Sequence, residues 1–200
     1  MKSKSVVLAV LMLAACATQS NSGFLTDYSR LRRAPQRGEN VISWEKPGLD
    51  LRVYDRLMID PVAVWLDPDS EAVALGDDAL REVAAVFTKI LRERIEPYYT
   101  LVKAPGHAVL RVRIAITDVA PAAEGAPADT PKVDLGGAAM EAEIIDAMTG
   151  EQLAAVVDRL EGSAAFRDAP SEWRAVEGAF IEWANGLLDY LDSYNPERQE

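Results

Sequence analysis

Ala108-Val-Leu-Arg-Val-Arg-Ile-Ala-Ile-Thr-Asp-Val119 is the stretch on which the fold turns. Leu110, Val112, Ile114 and Ile116 alternate with Arg111, Arg113, Ala115 and Thr117. Successive strand side chains point to opposite faces, so this period of two describes a strand with one dry face and one wet face. A partner for it lies downstream. Ala139 to Ala147 sets Met140, Ala142 and Ile144 inward and Glu141 and Glu143 outward. Thr149-Gly150 supplies a tight turn, because glycine takes positive φ without strain, and Gln152 to Glu161 returns as the second arm of a hairpin. With antiparallel pairing, Arg111 is expected opposite Glu143 and Arg113 opposite Glu141. Cross-strand pairs of this kind contribute about 0.2–1 kcal/mol each.

Upstream, Tyr54 to Leu66 (YDRLMIDPVAVWL) is rich in β-branched and aromatic residues. Leu57 and Ile59 share one face, Val62 and Val64 the next alternation, and Pro61 marks the change of phase expected of an edge or bulge. Leu80, Val83, Ala84, Phe87, Ile90, Leu91 and Ile95 then recur at helical spacing, with Asp77 or Asp78 as the cap and Pro97 as the stop. A second helix opens near Pro170 and Glu172 and carries Trp173, Val176, Phe180, Trp183, Leu187, Tyr190 and Tyr194 along one stripe. That stripe reads as core packing, with an aromatic partner-binding groove as the sharper alternative. The order strand, helix, three strands, helix predicts an α+β fold. The expected form is a two-layer sandwich: a mainly antiparallel sheet of about four strands, with two helices on one face. The Arg/Glu face of the sheet would then be open to solvent.

The chain of 200 residues suits one domain. Its formal charge is −11, from 21 Lys+Arg against 32 Asp+Glu, which argues against nucleic acid as a partner. A single cysteine excludes an internal disulfide framework and a cysteine-based zinc cage. Residues 1–15 (MKSKSVVLAVLMLAA) read as a secretory signal, with Lys2 and Lys4 ahead of an apolar run from Val6 to Ala15. That run is too short to cross a bilayer of about 30 Å as a helix. It ends Leu13-Ala14-Ala15-Cys16, which resembles the bacterial lipobox. The resemblance implies cleavage between Ala15 and Cys16 and lipid on the Cys16 sulfur and its new amino group. Two or more acyl chains anchor stably, and one does not. Ala17 follows, not the aspartate of an inner-membrane retention signal, so the expected location is the outer membrane, facing the periplasm.

Residues 16–50 are expected to form a lipidated tether, and residues 51–200 a single α+β domain. The tether holds five basic and four acidic side chains, the domain 14 basic and 28 acidic. The tether either lies toward anionic head groups or wraps back over its acidic domain. Phe24, Leu25, Tyr28, Leu31 and Trp44 are apolar enough to dock. The 120–137 stretch, rich in Pro, Gly and Ala, reads as a long loop.

Ser22-Gly23-Phe24-Leu25-Thr26-Asp27-Tyr28-Ser29-Arg30-Leu31, soon after the lipobox, resembles the opening of the DUF3313 lipoproteins. Tyr54 to Val62 (YDRLMIDPV) and Asp146 to Glu151 (DAMTGE) are similar to further segments of that family. The family has no assigned activity, so the resemblance implies a lipoprotein and supplies no catalytic residues.

A search for chemistry returns little else. His107, beside Gly106 at a strand entry, reads as a turn or surface histidine, and Ser163 and Ser171 lack a G-x-S-x-G setting. Gly136-Gly137 lacks the spacing and the lysine of a phosphate loop. Asp67, Asp69, Glu71 and Asp78 approach a calcium-loop spacing, but Ala72 stands where that loop needs glycine, so no metal is assigned. Apart from covalent lipid on Cys16, no cofactor is expected. Two function classes follow. One is a non-enzymatic accessory lipoprotein that binds an envelope or other periplasmic partner through its open sheet face, its aromatic helix or its long loop. The other is a small periplasmic hydrolase or ligand-binding domain using the strand-end carboxylates Asp55, Asp60, Asp118 and Asp146.

Overall fold

The computed structural model describes residues 21–66, 70–120, 137–161 and 174–195. The expected signal peptide, Cys16, Asp67, Asp69, Ser163, Ser171, Gly136, most of the 120–137 loop and the Pro170 helix start lie outside the described residues. The strand quoted above forms as β6, Val109–Ala120. It pairs antiparallel with β7 (Gly137–Asp146), which pairs antiparallel with β8 (Gln152–Glu161). The β7–β8 turn holds Gly150 at φ +73°, as its place in the hairpin requires.

The rest of the sheet departs from expectation. Instead of about four antiparallel strands, the described residues form eight, in one mixed sheet. β1 (Arg32–Arg33) and β2 (Ile42–Glu45) form a small hairpin, and β2 extends the sheet beyond β8. On the other side, β3 (Arg56–Ile59) and β4 (Ala63–Val64) both run parallel to β6, and β5 (Thr100–Leu101) runs parallel to β3. The cause is the helix between them. α1, Asp77–Ile95, carries the chain back along the sheet, and a strand–helix–strand crossover leaves its two strands parallel. The extra strands are two to four residues long and lack enough alternation to stand out in sequence.

α2, Arg174–Asp192, packs beside α1 on the same sheet face. Phe87 of α1 stacks on Phe180 of α2 with ring centroids 4.3 Å apart, and Trp183 closes the cluster at 5.8 Å from Phe87. Beneath lie Val112, Ile114, Ile116, Met140 and Ile144, the dry faces of β6 and β7. Two helices on one face is therefore the observed arrangement. The cap of α1 differs: Gly76, at φ +79°, precedes the helix and makes no side-chain cap. Asp77 and Asp78 sit inside the first turn, where negative charge complements the helix dipole. No helix among the described residues is long and apolar enough to cross a membrane.

Candidate functional site

The face expected to be open is covered. A strap of residues 22–31 lies across it, and Phe24, Leu25 and Leu31 are buried with Ala115 and Ala155 in a second apolar cluster. Arg113 lies over the Phe24 ring at 4.8 Å and Arg30 over Trp44 at 3.8 Å, so cationic groups close the edges of the strap. Glu141 and Glu143, expected outward in water, are 2% and 1% exposed. The strap supplies their partners. Glu141 accepts from Ser22 Oγ at 2.7 Å and from the Tyr28 hydroxyl. Glu143 accepts from the Thr26 amide at 2.8 Å, from Thr26 Oγ1 at 3.1 Å, from Gln152 Nε2 at 2.8 Å and from the Arg113 guanidinium. Two buried carboxylates need this many donors, because desolvation otherwise costs several kcal/mol each.

The register also differs by two residues from the expected one. Arg113, not Arg111, stands opposite Glu143, and Ala115 stands opposite Glu141. Arg111 is opposite Ile145 and forks onto Asp60, with Nε at 3.0 Å and the terminal nitrogen at 2.6 Å. A two-residue slip keeps every side chain on its own face, so face alternation alone could not decide it.

The strand-end carboxylates are each committed separately. Asp55 pairs with Arg56, and Asp60 with Arg111. Asp118 takes Ser70 Oγ at 2.6 Å and Arg159 at 2.7 Å. Asp146 accepts the Tyr54 hydroxyl at 2.9 Å and the amides of Met148 and Thr149 at the hairpin turn. Burial pushes the Asp146 carboxyl up, but those donors outweigh it and hold it below the usual carboxylate range. Burial, with the Asp146 charge behind it, pushes Tyr54 up to about 12. His107 sits at the strand entry, where its carbonyl accepts from Arg56 at 2.7 Å. Asp78, from the calcium-like spacing, is hydrogen-bonded by Arg81. Among the described residues no three His, Cys, Asp or Glu side chains gather as a metal site.

The second candidate feature lies on the helix face. A cleft of about 590 Å³ opens between α2 and the β2–β8–β7 side of the sheet. Its apolar wall is Trp183, Leu187 and Tyr190, the C-terminal part of the aromatic stripe. Asp158 of β8 points into it and accepts from the Trp183 indole at 2.8 Å. Burial raises the Asp158 carboxyl, against the Trp183 and Arg159 donors. At the mouth the Tyr190 hydroxyl donates to Glu45 at 2.8 Å, and Arg37 lies over the Tyr190 ring at 5.2 Å and 3.9 Å from Glu45. Burial, then the neighbouring Tyr194 and Glu45, pushes the Tyr190 hydroxyl far above its ordinary value. The cleft is thus aromatic, acidic and wide enough for a small ligand or a short segment of chain.

Sequence reasoning anticipated the aromatic stripe as a possible groove. It did not anticipate Asp158, Glu45 or Arg37, because β2 and β8 are adjacent only in the folded sheet. It allowed for docking of the tether through Phe24, Leu25, Tyr28 and Leu31, but not for the hydrogen bonds of Ser22, Thr26 and Tyr28 to the buried glutamates. Their one local signal was three hydroxyl side chains interleaved with Phe24 and Leu25, which suits a segment that docks and hydrogen-bonds at once.

Residues 20–187 match the family described as a protein of unknown function, DUF3313. The chain belongs to the DUF3313 family. The match takes in both the strap and the hairpin turn. An uncharacterized lipoprotein of Escherichia coli K12, YdcL, is 29% identical over 122 residues, 58% of this chain and 54% of that one. The DUF3313 chain therefore spans about half the length of the curated relatives it matches. Among solved structures, the PelC dodecamer of Paraburkholderia phytofirmans is similar with a TM-score of 0.42 and 14% identity (71% of this chain and 91% of that one). Lipoprotein GNA1162 of Neisseria meningitidis is similar with a TM-score of 0.30 and 11% identity, over 68% of this chain and 96% of that one.

Proposed function

We propose that this DUF3313 chain is a lipoprotein held by an acylated Cys16 in the outer membrane, with its folded part in the periplasm. It acts by binding an envelope protein, not by catalysis. The anchor reading is supported by Ala14-Ala15-Cys16-Ala17 after a basic and apolar start, and by the lipoprotein relative. The binding reading is carried by one observation, the aromatic and acidic cleft between α2 and β8. Its occupant is a segment of the partner that presents a basic side chain among apolar ones. Asp158, Glu45, Glu182 and Asp189 line the cleft against Arg37, which is already paired with Glu45. A hydrolase would need two carboxyls converging on one bond. The strand-end acids are instead held by separate partners, which favours binding.

The test has two arms. Cys16→Ser should abolish fatty-acid labelling and move the chain from the membrane to the soluble fraction; unchanged labelling removes the anchor reading. A photocrosslinking side chain at Leu187 should capture one envelope protein, and the Asp158→Lys variant should lose that adduct. The same crosslinker at the exposed Met148 is the control. An adduct that persists in Asp158→Lys, or equal capture from Met148, removes the cleft reading.

A further inference from the structure

The strap fixes where the chain leaves the fold, and the leash beyond it is short. Ser22 is tied by its hydroxyl to Glu141 at 2.7 Å, and its carbonyl accepts from the Trp65 indole at 2.8 Å. From there the strap runs along the sheet toward the β7–β8 turn, reaching Glu143 through Thr26 and Gln152 through Arg30. Glu141 lies midway along β7, so the strap begins on the outer face of the sheet beside Trp65. Cys16 and Ser22 are six residue steps apart. A fully extended chain covers at most about 3.5 Å per step, so the leash reaches about 20 Å. A domain of this size has a radius of gyration of about 16 Å and is roughly 40 Å across. With lipid on Cys16, such a leash cannot carry the far end of the molecule to the bilayer.

Two large apolar side chains are exposed near the exit. Trp65 is 48% exposed, its ring packs against Phe24 with centroids 6.1 Å apart, and its N–H is held by Ser22. Val73, 58% exposed, lies on the 3-10 turn Glu71–Leu75. Both are tied to the last part of β6. The Trp65 amide donates to the Ile116 carbonyl at 2.8 Å, and Ser70, which caps the 3-10 turn, donates to Asp118. Tryptophan is favoured at membrane–water interfaces, where its ring is dry and its edge is wet. We infer that the Ser22–Trp65 side of the molecule rests on the phospholipid surface, with Trp65 as its interfacial anchor. The inference depends on the acylation of Cys16 proposed above. Attraction of the acidic body to anionic lipid is not the cause. The leash keeps this side within about 20 Å of the bilayer and the indole makes the contact, so the contact persists in salt that screens surface charge.

The test uses the acylated chain in vesicles of phosphatidylethanolamine with a minor share of phosphatidylglycerol, brominated near the top of the acyl chains. Tryptophan emission should be quenched. Trp65→Phe should lose at least half of that quenching, and Val73→Trp on the Trp65→Phe background should restore it. Inserting about twenty Gly/Ser residues between Ala17 and Thr18 adds roughly 25 Å of mean reach and should lower the quenching at least twofold. Equal quenching with and without Trp65, in protein that is acylated and sediments with the vesicles, overturns the inference and leaves the anchor standing. Absence of label and of sedimentation overturns both. A benzophenone side chain at position 65 should yield phospholipid adducts in cells. Adducts only to another protein, or to a second copy, overturn the lipid assignment.

Discussion

Glu141 and Glu143 are both sealed beneath the strap, yet different chemistry holds them. Glu143 has a cation, Arg113, together with Thr26 and Gln152, whereas Glu141 has the hydroxyls of Ser22 and Tyr28. Removing one partner of a buried ion pair leaves the other charge uncompensated, typically at about 3–5 kcal/mol. Glu143→Ala is expected to lose about that much in urea unfolding. Tyr28→Phe removes the hydrogen bond to the charged Glu141 and takes the acceptor from the Gly23 and Leu25 amides, and is expected to lose at least about 1.5–3 kcal/mol. Asp158 behaves in the opposite sense. Burial raises its carboxyl, so the native chain holds the proton to higher pH than the unfolded chain does. Its contribution is most favourable below the unfolded pKa and is lost as pH rises through the raised native value. Asp158→Asn keeps an acceptor for the Trp183 indole and removes that loss. It is expected to stabilise more at pH about 7 than at pH about 4, read by urea midpoints at the two values. An equal effect at both would show that Asp158 is not held against its charge.

At the scale of elements, the contact between α1 and α2 holds the helix layer together. Phe87 is fully buried and stacks on Phe180. Phe87→Ala opens a cavity between two helices that the sheet holds in place, with an expected loss of about 3–5 kcal/mol in unfolding free energy. This element was readable from its own residues, since Leu80 to Ile95 repeat at helical spacing and that face is the buried one. The β6 strand and the β7–β8 hairpin were readable too, because Leu110 to Thr117 and Met140 to Ile144 alternate and Thr149-Gly150 marks the turn. β3 and β4 were readable as one strand segment broken at Pro61, but their parallel direction was not, and β5 was missed. They are short, and their direction comes from the α1 crossover, not from their composition. The register of β6 on β7 was also hidden, because a slip of two leaves both faces unchanged. The burial of Glu141 was hidden most deeply. A glutamate alternating with apolar residues reads as a wet face until a segment more than a hundred residues away is known to lie over it. At the candidate cleft only the α2 stripe was visible, because Asp158 and Glu45 come from strands brought together by the sheet.

For the whole molecule, most of the stretch expected as a tether does other work. Residues 22–45 belong to the fold: the strap covers the outer face and β2 extends the sheet beyond β8. The described contacts of that stretch begin at Ser22. A chain beginning at Asn21 is therefore expected to unfold at the same urea midpoint as the full mature chain. A chain beginning at Arg32 is not. It loses the burial of Phe24, Leu25 and Leu31, each worth about 1.5–3 kcal/mol, and exposes Ala115 and Ala155. It also strips Glu141 of Ser22 and Tyr28, and Glu143 of Thr26. Water can reach those carboxylates once the strap is gone, so their penalty is partly relieved while the apolar loss remains. That loss alone is about 5–9 kcal/mol, the size of the whole stability of an ordinary domain. The shorter chain is expected to show no cooperative unfolding at room temperature by circular dichroism and urea titration. Adding a synthetic peptide of residues 21–31 should restore the transition in proportion to its concentration. A cooperative transition in the Arg32 chain at the full-length midpoint would show that the sheet is stable without its strap.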